Sequence, residues 1–258
     1  MSLENKYKIN QLLKEWPKGT VFLTSWLITN GYSNQLLHRY KNSNWIESIG
    51  IGAVKQSGDR VTVEGALYAL QHQSDSSIHI GGKTALAMLG KSHYLEFASK
   101  KVILFGEAKE KLPSWMFNYS WGVELNYFSS SFLPPRLGLV HNEVNNFRIH
   151  ISGAARAMME CLYLAPKKQD LIECYELMEG LTNLRPQTVQ QLLEACSSVK
   201  VKRLFLYMAE KAQHPWLNYL NRLKIDLGSG NRSLVKNGIY VPTYKITLPE
   251  ELAFYGAV

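Results

Sequence analysis

Between residues 33 and 42 the chain reads SNQLLHRYKN, and Asn34, Gln35, His38, Arg39 and Asn42 bring five hydrogen-bonding side chains to one helix-spaced segment. At the rotation of an α-helix, Leu36, Leu37 and Tyr40 point within about 50° of one direction while Gln35, His38, Arg39 and Asn42 point away from it. Amides such as Asn34 and Gln35 have the geometry to pair with adenine, and a guanidinium such as Arg39 binds guanine or a phosphate. Ser33, His38, Lys41 and Asn42 would add to those contacts or hold a phosphate backbone. The chemistry available is base reading in a major groove. The plain alternative is a polar face that is merely wet.

Other segments offer weaker chemistry. IGGKT at 80–84 resembles a phosphate-binding loop, but position 77 is serine where such a loop needs glycine, so Gly81 and Gly82 read as a tight strand-to-helix connection. LGSGNR at 227–232 reads as a turn between strands. The seven histidines show no i,i+4 pair on a helix, and His72 and His79 are separated by a loop-like run, so no metal site is expected. No Gly-x-Ser-x-Gly elbow exists, and none of the cysteines sits in a cationic stretch. Glu107, Lys109, Glu110 and Lys111 could serve a metal-dependent nuclease, but a solvated turn explains them better. The expectation is a protein without catalytic residues, metal or cofactor.

Charge narrows the partners. The net charge is +8. Residues 1–75 carry eight basic and six acidic side chains, residues 76–196 twelve and eleven, and residues 197–245 nine and two. Lys200, Lys202, Arg203, Lys211, Arg222, Lys224, Arg232, Lys236 and Lys245 therefore form the strongest positive stretch, suited to phosphates or to an acidic protein. Three scattered cysteines, Cys161, Cys174 and Cys196, fit a reducing compartment. No apolar run approaches the roughly 18 to 20 residues that span a bilayer, so a cytoplasmic protein is expected.

The elements that must position the polar face are legible around it. Residues 5–16 form an amphipathic helix stopped at Pro17 to Gly19, and SWLITN forms a second helix ended by Gly31. Ser33 is placed as N-cap of the third helix, with Tyr32 and Leu37 forming a staple across its entry. WIESIGIGAVK and RVTV read as two strands around a QSGD turn, which puts Lys55 and Arg60 beside the tip of a wing at 49–63. Helix, short turn, helix and hairpin make a winged helix-turn-helix. VEGALYALQHQ adds a helix and closes a domain at 1–75.

Residues 76–258 read as a larger mixed α/β domain. SIHI, KVILFGE, GVELNYFSSSFL and FRIHIS are strands, and Ser152 is placed to cap the helix AARAMMECLYL. A helical array follows at about 170–179, 187–197 and 199–212. Short strands end the chain in LKIDLG, SLVKNGIYV and YKITL, with Asn237-Gly238 as a hairpin signal. The fold class expected is α+β.

Taken together these runs resemble the AbiEi family, antitoxins and transcriptional regulators of AbiE-type abortive-infection systems. The likeness lies in TSWLITNGYSNQLLHRYKNSNWIESIGIGAVKQSGDRVTVEGALYALQ, with its Gly-Tyr-Ser turn and Gly-x-Gly-Ala-x-Lys wing, and in IHIGGKTALAMLG, FRIHISGAARAMMECLYLAP and LGSGNRSLVKNGIYVPTYKITLP. The resemblance implies a winged helix that represses its own operon at inverted repeats in double-stranded operator DNA. It also implies a C-terminal domain that opposes a nucleotidyltransferase-like toxin without requiring a stable complex. Roles carry over to Ser33, Asn34, Gln35, His38, Arg39, Lys41 and Asn42 on the helix, and to Lys55 and Arg60 on the wing. Lys200, Lys202, Arg203, Arg222, Lys224, Arg232 and Lys236 are candidates for further contact on charge alone. A winged helix that docks on protein instead of DNA is the alternative reading.

Overall fold

The computed structural model describes residues 3–91 and 101–255. The first elements are α1 (Leu3–Glu15), β1 (Phe22–Leu23), α2 (Thr24–Thr29), α3 (Asn34–Asn42), β2 (Ile46–Gly50), β3 (Ala53–Gln56) and α4 (Val63–Gln73). Next come β4 (His79–Ile80), α5 (Gly82–Met88), β5 (Lys101–Glu107), α6 (Ser114–Asn118), β6 (Glu124–Ser130), β7 (Leu139–Val144) and β8 (Phe147–Ser152). The chain ends with α7 (Ala154–Leu164), α8 (Leu171–Glu179), α9 (Pro186–Ala195), α10 (Val199–Lys211), β9 (Arg232–Ser233), β10 (Ile239–Val241), β11 (Ile246–Leu248) and α11 (Glu250–Phe254). Two compact units divide these segments: Met1–His79 with Lys100–Ser129 and His141–His150, and Ile80–Ser99 with Ser130–Val140 and Ile151–Val258.

In the first unit, the apolar stripes of α1, α2 and α3 meet on one core. Ile9, Leu12, Trp16, Leu27, Leu36, Leu37 and Tyr40 are buried there with Phe22, Ile46 and Val54 of the sheet, and Tyr32 packs against the same cluster. Burial of that stripe, rather than helix propensity, holds so short an α3 in place. The sheet runs β1-β3-β2, both pairs antiparallel. A five-stranded sheet has the order β6-β5-β4-β8-β7.

The hairpin differs from the one expected. β2 and β3 turn over at Ile51 and Gly52, inside the run that reads as one strand, while QSGD follows β3. Gly50 and Gly52 carry φ of 150° and 89°, conformations open to glycine, and these allow the tight reversal. RVTV is no strand: Thr62 is the N-cap of α4 and its hydroxyl accepts the Gly65 N–H at 3.2 Å. Gly65 is there for close approach, since a Cβ would come within 1.8 Å of the Gly19 carbonyl oxygen.

In the second unit Ile80 pairs with Ile151 in parallel register, and Gly81 and Gly82 make the tight connection into α5. Ser152 is not the cap of α7; Gly153 is. The Ser152 hydroxyl instead donates to both carboxylate oxygens of Glu160, at 2.9 and 2.7 Å. The array α8, α9 and α10 stands where expected. LKIDLG forms no strand, and Asn237-Gly238 makes no hairpin of β9 and β10, because β11 lies between them, antiparallel to β10 and parallel to β9. Gly238 serves proximity instead, as a Cβ there would lie 2.2 Å from the Leu248 carbonyl oxygen. β7 was not expected; its polar sequence LVHNEV hides it.

Candidate nucleic-acid interface

The turn between α2 and α3 is short because Gly31, at φ 86°, reverses the chain and gives its N–H to the Ile28 carbonyl at 3.0 Å. Ser33 then starts α3, its hydroxyl accepting the Leu36 N–H at 3.2 Å. Leu36, Leu37 and Tyr40 are buried, and Ser33, Asn34, Gln35, His38, Arg39 and Asn42 are exposed, with Lys41 half-buried. Burial, followed by Tyr32, raises the Tyr40 phenol above its usual range, as befits a core residue. The first turn of α3 holds no acidic residue and Arg39 and Lys41 lie in its last turn, so the N-terminal partial positive charge stays available to a phosphate. Arg39, Lys41 and Arg60 form no ion pair among the described residues. One helix thus presents three amides, an imidazole and a guanidinium on one open face.

The wing does not present Lys55 as expected. Lys55 lies in β3, opposite Glu47 of β2, with its ammonium 3.2 Å from the Glu47 carboxylate and 2.9 Å from the Asp59 carbonyl oxygen that accepts from it. The Gly58 N–H first, then Lys55, hold the Glu47 carboxyl below the usual carboxylate range. Arg60 is exposed but lies in the segment after β3, away from the hairpin turn in sequence. The tip itself carries Ile51, 91% exposed, which the strand-like composition of IESIGIGAVK conceals. The Gly-x-Gly spacing was the available signal.

The basic stretch divides in the same way. Lys202 and Arg203 are buried, so they are no surface contacts. Arg203 gives its guanidinium to the carbonyls of Leu227, Gly228, Gly230 and Lys245 at 2.7 to 3.0 Å, fastening the loop 227–230 beside β11. Lys200 is half-buried and donates to the carbonyls of Tyr163 and, closely, Ala165 after α7; burial lowers its pKa. Arg222 is paired with Glu210 at 3.1 Å. Lys224, Arg232, Lys236 and Lys245 remain at the surface.

The glycine-rich turn at 80–84 holds an anion of the protein's own. The Gly82 N–H donates to Glu160 at 2.9 Å, and Arg156 pairs with the same buried carboxylate at 2.9 Å. The three cysteines are free and buried, and burial raises each thiol above its usual range, which disfavours the thiolate. No group of three metal-binding side chains occurs among the described residues. Nor is any helix among them long and apolar enough to cross a membrane.

The order α1-β1-α2-α3-β2-β3, with its β1-β3-β2 sheet and the open polar face of α3, defines a winged helix-turn-helix protein. The chain belongs to the AbiEi antitoxin family of transcriptional regulators: residues 5–97 match its N-terminal domain, and residues 99–249 match the transcriptional regulator, AbiEi antitoxin of type IV toxin-antitoxin systems. It is also similar in fold to the RV2827C protein from Mycobacterium tuberculosis, with a TM-score of 0.56 and 10% identity over 95% of this chain and 91% of that one. A search of the curated proteins finds no significant match.

Proposed function

We propose that the chain is an autorepressor that binds operator DNA at inverted repeats upstream of its own operon, and that it acts in the cytoplasm. Residues 1–75 bind the DNA, through Ser33, Asn34, Gln35, His38, Arg39, Lys41 and Asn42 at the recognition helix, with Arg60 as a phosphate contact. Residues 76–258 oppose a nucleotidyltransferase-like toxin, and neither part is assigned a catalytic residue. One observation carries the proposal: the apolar half of α3 is buried while its amides and guanidinium stand open, with no ion pair among the described residues.

Gel-shift titration of the upstream duplex tests it. Arg39→Ala and Gln35→Ala should each weaken specific binding by roughly ten-fold or more, and Arg39→Ala should flatten the salt dependence by about one unit if it holds a phosphate. Unchanged binding by both variants contradicts the assignment of this face. Absence of any specific duplex binding by the unaltered chain would favour the protein-docking reading.

A further inference from the structure

We infer that the tip of the β2–β3 hairpin meets operator DNA through Ile51, as an apolar rather than an electrostatic contact; the inference rests on α3 being the recognition helix. An isoleucine at a hairpin tip is unusual, since such turns favour Gly, Asn and Asp. Here the reversal is made by Gly50 and Gly52, at φ 150° and 89°, so the turn itself does not require Ile51. Nor does the core, because the side chain is 91% exposed.

The tip is nevertheless held from two sides. The Gly52 carbonyl accepts the Thr24 N–H at 2.8 Å, which ties the hairpin turn to the first residue of α2. Gly50 lies against α6, where a Cβ would come within 2.7 Å of the Trp115 Cβ. Ile51 is therefore projected from a braced support joined to the helix-turn-helix, and little ordering is needed when it binds.

Charge settles what kind of contact such a tip can make. Glu47 and Lys55 are the only charged residues of β2 and β3, and they neutralise each other at 3.2 Å. The hairpin has no spare cation for a phosphate. A branched apolar side chain can instead displace water from a thymine methyl or a deoxyribose edge in the groove beside the one that α3 reads.

Fluorescence anisotropy of the full chain on a labelled duplex from its upstream region, over a range of salt concentrations, separates these contributions. Ile51→Ala should weaken specific binding by about ten-fold without changing the salt slope, from the apolar area lost. Ile51→Val should retain most of the affinity, and Ile51→Lys should steepen the slope by about one unit, because a cation there reaches a phosphate. Ile51 is exposed, so thermal melting of all three variants should match the unaltered chain. Affinity of Ile51→Ala equal to that of the unaltered chain overturns the inference, whatever Ile51→Lys does; so does a loss that flattens the slope. If the unaltered chain shows no sequence preference, or Arg39→Ala binds as well as it does, the reading of α3 has failed instead, and the contact at Ile51 falls with it.

Discussion

Across the wing, the Lys55 ammonium stands 3.2 Å from the Glu47 carboxylate, and the two residues occupy opposed positions of β2 and β3. The pair spends Lys55's charge inside the protein, with its side chain only 16% exposed. Lys55→Met should therefore change operator affinity by less than about three-fold and leave the salt slope unaltered, in contrast to Arg39→Ala. A slope lowered by a full unit in Lys55→Met would show that the lysine serves phosphate after all.

Ser33 caps α3, its hydroxyl accepting the Leu36 N–H at 3.2 Å, beside the DNA contact proposed for it. Ser33→Ala should cost about 1 kcal/mol of stability in urea unfolding, and Ser33→Asp, which keeps a cap, should recover most of it. Equal stability of the alanine variant would mean that the cap contributes nothing.

Glu160 is fully buried and receives Gly82, Ser152 and Arg156. Glu160→Ala leaves a buried guanidinium without its counter-charge, and should cost about 3–5 kcal/mol on the scale of broken buried pairs. Chemical denaturation followed by far-UV circular dichroism reads it. A loss below about 1 kcal/mol would mean that the network relaxes around the gap.

Tyr127 donates its hydroxyl to the Glu110 carbonyl at 2.7 Å, and burial, then Glu110, push its pKa up to about 12. The unfolded value is about 10, so the folded state holds the proton more tightly. The resulting stability is present below about pH 10 and is lost as pH rises toward 12. Tyr175, also pushed up to about 12 by burial and then Glu179, adds to the same decline. Tyr127→Phe should decline less steeply than the unaltered chain over that window; parallel curves would refute the assignment.

The part of the fold set by local periodicity was readable from residues alone. The 3.6-residue spacing of Leu36, Leu37 and Tyr40 marks the buried side of α3, and Ser33 marks its start. What escaped depends on tertiary approach. The turn at Gly50 and Gly52 is hidden among β-branched residues, while QSGD carries the stronger turn composition. RVTV has strand-like residues, but Thr62 finds the Gly65 N–H and starts a helix. Ser152 was legible as a polar residue before a helix, whereas its partner Glu160 lies on the next element. Arg203 reads as a surface cation until four backbone carbonyls converge on it. Charge composition cannot foresee that convergence, so the basic stretch 197–245 overstated the positive surface.

Placing a photo-crosslinking residue at Gln35 tests the central claim most directly. Irradiated with operator duplex, the chain should form an adduct that maps to a base within a half-site and that unlabelled operator, but not unrelated duplex, competes away. The same residue at Gln11, exposed on α1, should give no such adduct. Crosslinks from Gln11 but none from Gln35 would place DNA on another face and contradict the account.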